Sequence, residues 1–133
     1  MKSYAGFTLL ELLVTLAIVG LLMAVSYSTY THHVIKARRA HGEIALLSLA
    51  AALEHHHAIK NTYAGATLKD LQVNEYTDGK AYRLEISNAA DNHYIVKALP
   101  QSAQKEDKLC ATLSLDELGQ KGTTGTGKVT DCW

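Results

Sequence analysis

The sequence predicts an α+β fold. One long, protruding N-terminal helix packs on a small antiparallel β-sheet, followed by a C-terminal loop bounded by two cysteines. Three observations predict it. Residues 7–60 favour helix throughout and contain no proline. Three segments between residues 81 and 115 alternate as half-buried strands do. Cys110 and Cys132 are the two cysteines and lie near the C-terminus. The chain has 133 residues, enough for one domain plus an appendage. Its 13 basic and 13 acidic side chains cancel, which argues against a bulk polyelectrolyte partner and leaves room for a local basic patch. No internal repeat is present.

The first element is an apolar run. Leu12 to Val25 is apolar apart from Thr15, and Phe7 to Leu10 with Ser26-Tyr27-Ser28 extend it to the roughly 20 residues that cross a bilayer. Tyr27 and Tyr30 fall where the far interface would lie, a position that favours aromatic rings. A cleaved secretory signal would also begin with a short basic stretch, Met1-Lys2, and an apolar run. Glu11 argues against that, as do the lack of a convincing small-x-small cleavage site just before a polar boundary and the continuation into a long helix. A glutamate in hydrocarbon costs about 2.5 kcal/mol or more unless paired, so Glu11 is a functional candidate.

The helix continues from about Thr31 to Lys60. Leu46, Leu49, Ala50 and Leu53 share one face, and Ile44, Leu47 and Ala51 form a second stripe nearly opposite. One face would pack on the sheet and the other on neighbouring helices; a single helix central to a small core is the alternative. From Phe7 to Lys60 the helix would be roughly 80 Å long, too long for a compact domain of this size, so part must protrude. His55-His56-His57, with His32, His33 and His41 upstream, invite a metal reading. Three consecutive helical residues point in different directions, so a solvated helix end is expected and no metal site.

Gly65 is expected to break the helix and Leu68 to Val73 to begin a connecting loop. Ala81 to Ser87 reads as the first strand, with Tyr82, Leu84 and Ile86 on one face. Asn88 to Asn92 reads as the turn, His93 to Leu99 as the second strand and Leu109 to Leu115 as the third. Residues 116–123 turn into a short fourth strand. Strands following one long helix give the α+β class with an antiparallel sheet. The two cysteines allow one intramolecular pairing. In a reducing compartment they would be free or metal-bound; behind a membrane-targeting segment the reading is a disulfide.

The run "GFTLLELLVTLAIVG" resembles the type IV pilin signature. The resemblance implies a leader, residues 1–6, removed by a membrane prepilin peptidase between Gly6 and Phe7, followed by methylation of Phe7. It implies that Glu11, fifth in the mature chain, is the assembly charge that meets the N-terminal amine of a neighbouring subunit. Residues 7–30 become the transmembrane and assembly helix, and residues 31–133 a periplasmic or extracellular head. Many pilins carry a proline kink where this chain has Ser28, whereas Gly20 matches a position at which these helices loosen. Lys36, Arg38 and Arg39 after the span conflict with the positive-inside rule, but the family places the head outside, as the disulfide reading requires.

A second resemblance lies in the head. "NTYAGATL", the segment from Lys97 to Lys121 and the terminal "DCW" are similar to PilE-like minor pilins. The same head type includes ComP-like pilins that receive DNA in natural transformation. The implied function is a minor type IV pilin supporting assembly, adhesion, twitching motility or DNA uptake, with a DNA-receptor pilin as the alternative. A secretion pseudopilin or a major pilin stands further off, and the calcium-ligand cluster expected of a major pseudopilin is not evident. The implied partners are other pilins, the peptidase, the inner membrane before assembly and, in the alternative, DNA. The location is the inner membrane and then the pilus.

No nucleophile motif, phosphate loop or metal spacing is present, so neither an enzyme nor a cofactor is expected. "GTTGTGK" from Gly122 to Lys128 lacks P-loop spacing and reads as a flexible loop inside the cysteine-bounded ring. For DNA it offers Lys121 and Lys128, the hydroxyls of Thr123, Thr124 and Thr126, and glycine amides that can approach phosphates. Asp116, Glu117 and Asp131 in the same region weaken that footprint.

Overall fold

A computed structural model describes residues 6–133. The expected leader, residues 1–6, lies outside the described residues apart from Gly6. The chain forms two compact units, Met1–Val34 and Ile35–Trp133, and helix α1 (Leu9–Lys60) contributes to both.

In the first unit, α1 begins two residues later than expected because Thr8 caps it. The Thr8 hydroxyl accepts the Glu11 N–H at 3.2 Å, and its carbonyl accepts the Leu12 N–H at 3.2 Å. That side-chain bond satisfies one of the amides a helix start leaves unpaired. Large apolar residues from Leu9 to Val25 are exposed, and the helix is long and apolar enough to cross a membrane. Threonines in and just after this stretch turn their hydroxyls to the helix backbone: Thr15 donates to the Leu12 carbonyl at 2.9 Å and Thr29 to the Val25 carbonyl at 3.4 Å.

In the second unit, α1 ends at Lys60. Asn61, at φ 57°, returns its N–H to the His57 carbonyl at 2.7 Å. The break expected at Gly65 therefore falls earlier, at an asparagine, a residue that tolerates the left-handed conformation. Strands β1 (Tyr82–Ala89), β2 (Tyr94–Pro100), β3 (Leu113–Asp116) and β4 (Lys121–Thr123) form one antiparallel sheet in that order. A bulge between Ile86 and Asn88 shifts the β1–β2 register, and the Ser87 hydroxyl there donates to the Ile95 carbonyl. Asn88 and Ala89, expected in the turn, belong to β1.

The third strand starts at Leu113 and not at Leu109. Asp107 organises a turn ahead of it: its carboxylate accepts the Cys110 N–H, its carbonyl accepts the Ala111 N–H, and Ala111 sits at φ 50°. The short helix α2 (Val129–Cys132) closes the chain and was not legible in the sequence. The core joins Leu46, Leu49 and Leu53 of α1 to Tyr82, Leu84, Tyr94, Val96, Leu113 and Leu115 of the sheet, as the 3.6- and 2-residue periods required. Gly42 admits the Tyr82 ring to the helix surface; a Cβ there would stand 3.0 Å from Tyr82 Cδ2. The opposite stripe is open, with Ile44 and Leu47 more than half exposed.

Candidate interaction surface

Cys110 and Cys132 are joined in a disulfide, 22 residues apart. The loop it encloses is pinned, not flexible as expected. Thr124 and Thr126 donate their amides to the carbonyls of Thr112 and Lys108, and Gly125 and Gly127 donate theirs to Cys110 and Leu109. Packing is so close that a Cβ on Gly125 would lie 2.1 Å from the Leu109 carbonyl oxygen. These glycines serve the approach of two backbones. The amides expected to meet phosphates are thus already engaged.

The hydroxyls are largely engaged as well. Thr126 donates to the Lys108 carbonyl at 3.4 Å, Thr124 accepts the Thr112 N–H at 3.2 Å, and Thr123 donates to the Cys110 carbonyl. Lys121 and Lys128 remain exposed. The Lys121 ammonium lies 5.0 Å from the Trp133 ring centroid, a cation–π contact. Burial raises the Glu43 carboxyl above its ordinary range, and the positive charges of Lys121 and Arg39 oppose that rise. The Trp133 indole donates to the Gly122 carbonyl at 3.1 Å, fixing the last residue on β4.

Beneath the loop lies a buried ion pair that the sequence reading missed. Arg39 donates Nε and Nη2 to the two carboxylate oxygens of Asp107, each at 2.9 Å, and Nη1 to the Asp131 carbonyl at 3.2 Å. Both side chains are almost fully buried. Gln104 adds bonds from its amide to the Ile35 carbonyl, the Tyr82 hydroxyl and Asp107. Burial pushes the Tyr82 hydroxyl up, and the bond from Gln104 opposes this. Arg39 therefore holds residues just before both cysteines. A signal existed: Arg39 lies seven residues before Leu46, on the face that is buried. Asp107 gave none, since "QKED" reads as a polar loop.

At the far end of α1, the His57 ring stacks on Tyr63 at 4.3 Å, and Tyr63 meets Tyr94 edge-on at 4.9 Å. The Tyr63 hydroxyl donates to the Glu54 carboxylate at 3.0 Å. Burial raises Tyr63 and Tyr94, and Glu54 raises both further. The expectation of a wholly solvated helix end fails for His57, whose Nε2 is buried. No group of three or more His, Cys, Asp or Glu among the described residues is placed to hold a metal.

In the first unit, Gly6 and Phe7 precede the helix and are exposed. Glu11 lies in the first turn of α1, and no described cation pairs with its carboxylate. Gly20 lies within the continuous helix.

Residues 28–114, more than half of the chain, match the family described as "Type IV minor pilin ComP, DNA uptake sequence receptor". The chain belongs to this family of type IV minor pilins. The match ends at Ser114, before the loop that carries Lys121 and Lys128. Residues 1–27 of the minor pilin match the prokaryotic N-terminal methylation motif. Two solved structures share its fold. The non-core minor pilin PilV of Neisseria meningitidis is 21% identical with a TM-score of 0.57, over 72% of this chain and 92% of that one. A type IV pilin from Shewanella oneidensis is 25% identical with a TM-score of 0.52, over 74% and 97%. Membership implies association with other pilus components.

Proposed function

We propose that this minor pilin is a DNA-receiving subunit of a type IV pilus. It is made as a precursor whose residues 1–6 are removed between Gly6 and Phe7, with Phe7 then methylated. Residues 7–30 hold it in the inner membrane as a single span and later pack among other pilins, with Gly20 as the place where that helix loosens. Glu11 is the assembly charge, meeting the amine of a neighbour's first residue. Residues 31–133 form the head. It acts by assembly and binding, not catalysis.

The observation that carries the DNA reading is the family match over residues 28–114. Because the loop amides are engaged, phosphate contacts fall to side chains, with Lys121 and Lys128 first and Thr124 and Thr126 beside them. Such contacts supply affinity and register; sequence preference needs base edges as well. The test uses the full chain in detergent micelles and duplex DNA across a salt series. Binding should weaken steeply with salt and should fall in the Lys121→Ala/Lys128→Ala double variant. No binding at low salt refutes the DNA role and leaves a subunit needed for assembly alone.

A further inference from the structure

We propose that the pole of the head at Ile35–Arg39 is a docking surface for an anionic lipid bilayer, so that the head rests on the membrane before assembly. The inference rests on the reading that residues 7–30 span a bilayer.

The pole is built by the buried bonds already described. Gln104 donates to the Ile35 carbonyl, and Arg39 grips Asp107 and the Asp131 carbonyl. These bonds hold residues 104–108 and 128–131 against residues 35–39. The Lys128 N–H donates to the Asp131 carboxylate at 3.2 Å, so Lys128 stays in this group. Lys36, Arg38, Lys105, Lys108 and Lys128 are exposed here, against the exposed carboxylates of Glu106 and Asp131. The rest of the head has the opposite bias. Between Glu54 and Lys97 acids outnumber bases six to five, and Asp116 and Glu117 add two more acids. Overall neutrality thus hides a head with one basic end.

Chain connectivity brings that end to the bilayer. Ile35 lies five positions after Tyr30, the residue at the expected interface. Even fully extended, those five steps reach at most about 18 Å. A basic residue near an anionic surface shifts the docked-to-undocked ratio about fivefold, and the attraction decays over about 8 Å at physiological salt. Glu106 and Asp131 offset part of this and leave a net positive collar. The cations that conflict with the positive-inside rule acquire a role on this reading: Arg39 is consumed inside the head, while Lys36 and Arg38 join a lipid-facing patch.

Trp133 is the chain's one tryptophan and lies beside this pole, next to Cys132 and bonded to β4. The full chain would be placed in nanodiscs of phosphatidylcholine alone and of phosphatidylcholine mixed with phosphatidylglycerol. Both would carry a headgroup spin label that quenches Trp133 fluorescence. Stronger quenching is expected on the anionic discs, lost in high salt and in Lys105→Glu/Lys108→Glu. Both lysines are exposed, so that variant should keep its fold, and the salt arm needs no variant. Equal quenching on the two discs overturns the proposal, as does a difference that survives salt and charge reversal. Co-elution with the discs reports the anchor separately. Retained co-elution without anionic quenching sinks docking alone; a chain that enters neither disc removes the anchor and the docking together.

Discussion

Glu11 and Arg39 are two charges on one helix, and their surroundings differ. Arg39 finds Asp107 within its own chain, at 2.9 Å and 68 residues away, and both are buried. Glu11 lies in an apolar stretch, and no described cation pairs with its carboxylate. The same contrast holds for the apolar residues. Leu46, Leu49 and Leu53 are fully buried within the head, whereas Leu10, Leu13 and Leu16 are exposed. The second unit gathers much of its apolar surface into one core, whereas the large apolar residues of the first unit stay exposed.

The sharpest way to break this comparison is Glu11→Ala. If Glu11 is completed by a neighbour, incorporation into pili should fall about a hundredfold or more, since half of a buried pair costs roughly 3–5 kcal/mol. The head's unfolding midpoint should not move. Normal incorporation, measured on sheared pili by immunoblot, removes Glu11 from assembly.

Arg39→Met should do the reverse. Stranding Asp107 should cost the head about 3–5 kcal/mol in denaturant unfolding, and Arg39→Met/Asp107→Leu should recover much of it. A loss under 1 kcal/mol for the single variant would mean that the pair is not buried. Removing the disulfide with Cys110→Ala/Cys132→Ala should cost about 3 kcal/mol in the chain-entropy model.

Tyr82 and Tyr94 supply a pH test. Their hydroxyls are raised by burial, so the folded head resists ionising them while the unfolded chain does not. Their contribution is complete below the unfolded value near pH 10 and is lost as pH rises from there toward the folded values. The melting temperature should therefore fall above about pH 10, and less so in Tyr94→Phe. A flat profile would mean that these hydroxyls are solvated.

The last contrast sets the two faces of α1 within the head against each other, and its outer face carries the smallest expected effect. Leu49→Ala should cost about 2–5 kcal/mol, and Ile44→Ser no more than about 0.5 kcal/mol. Equal costs in the isolated chain would show that the outer stripe is covered.

Much of the fold was legible because it repeats locally. The 3.6-residue period placed Leu46, Leu49, Ala50 and Leu53 on one face, and alternation placed Tyr82, Leu84 and Ile86 on another, before any contact was known. Element ends were less legible. Gly65 is the stronger breaker on composition, yet Asn61 ends the helix, and Asp107 delays the third strand. Both outcomes depend on bonds made by particular backbone groups.

The sequence by itself determined the apolar N-terminal run, the pilin signature from Gly6 to Glu11, the single possible cysteine pairing and the buried faces. These follow from spacing along the chain, which dihedral geometry converts directly into faces. Only the tertiary structure decided that Arg39 is a buried clamp, that the glycine loop spends its amides on residues 108–112, and that one end of a neutral chain is basic. Those properties join residues tens of positions apart. No local period encodes such a meeting, because it exists only once the core has brought the segments together.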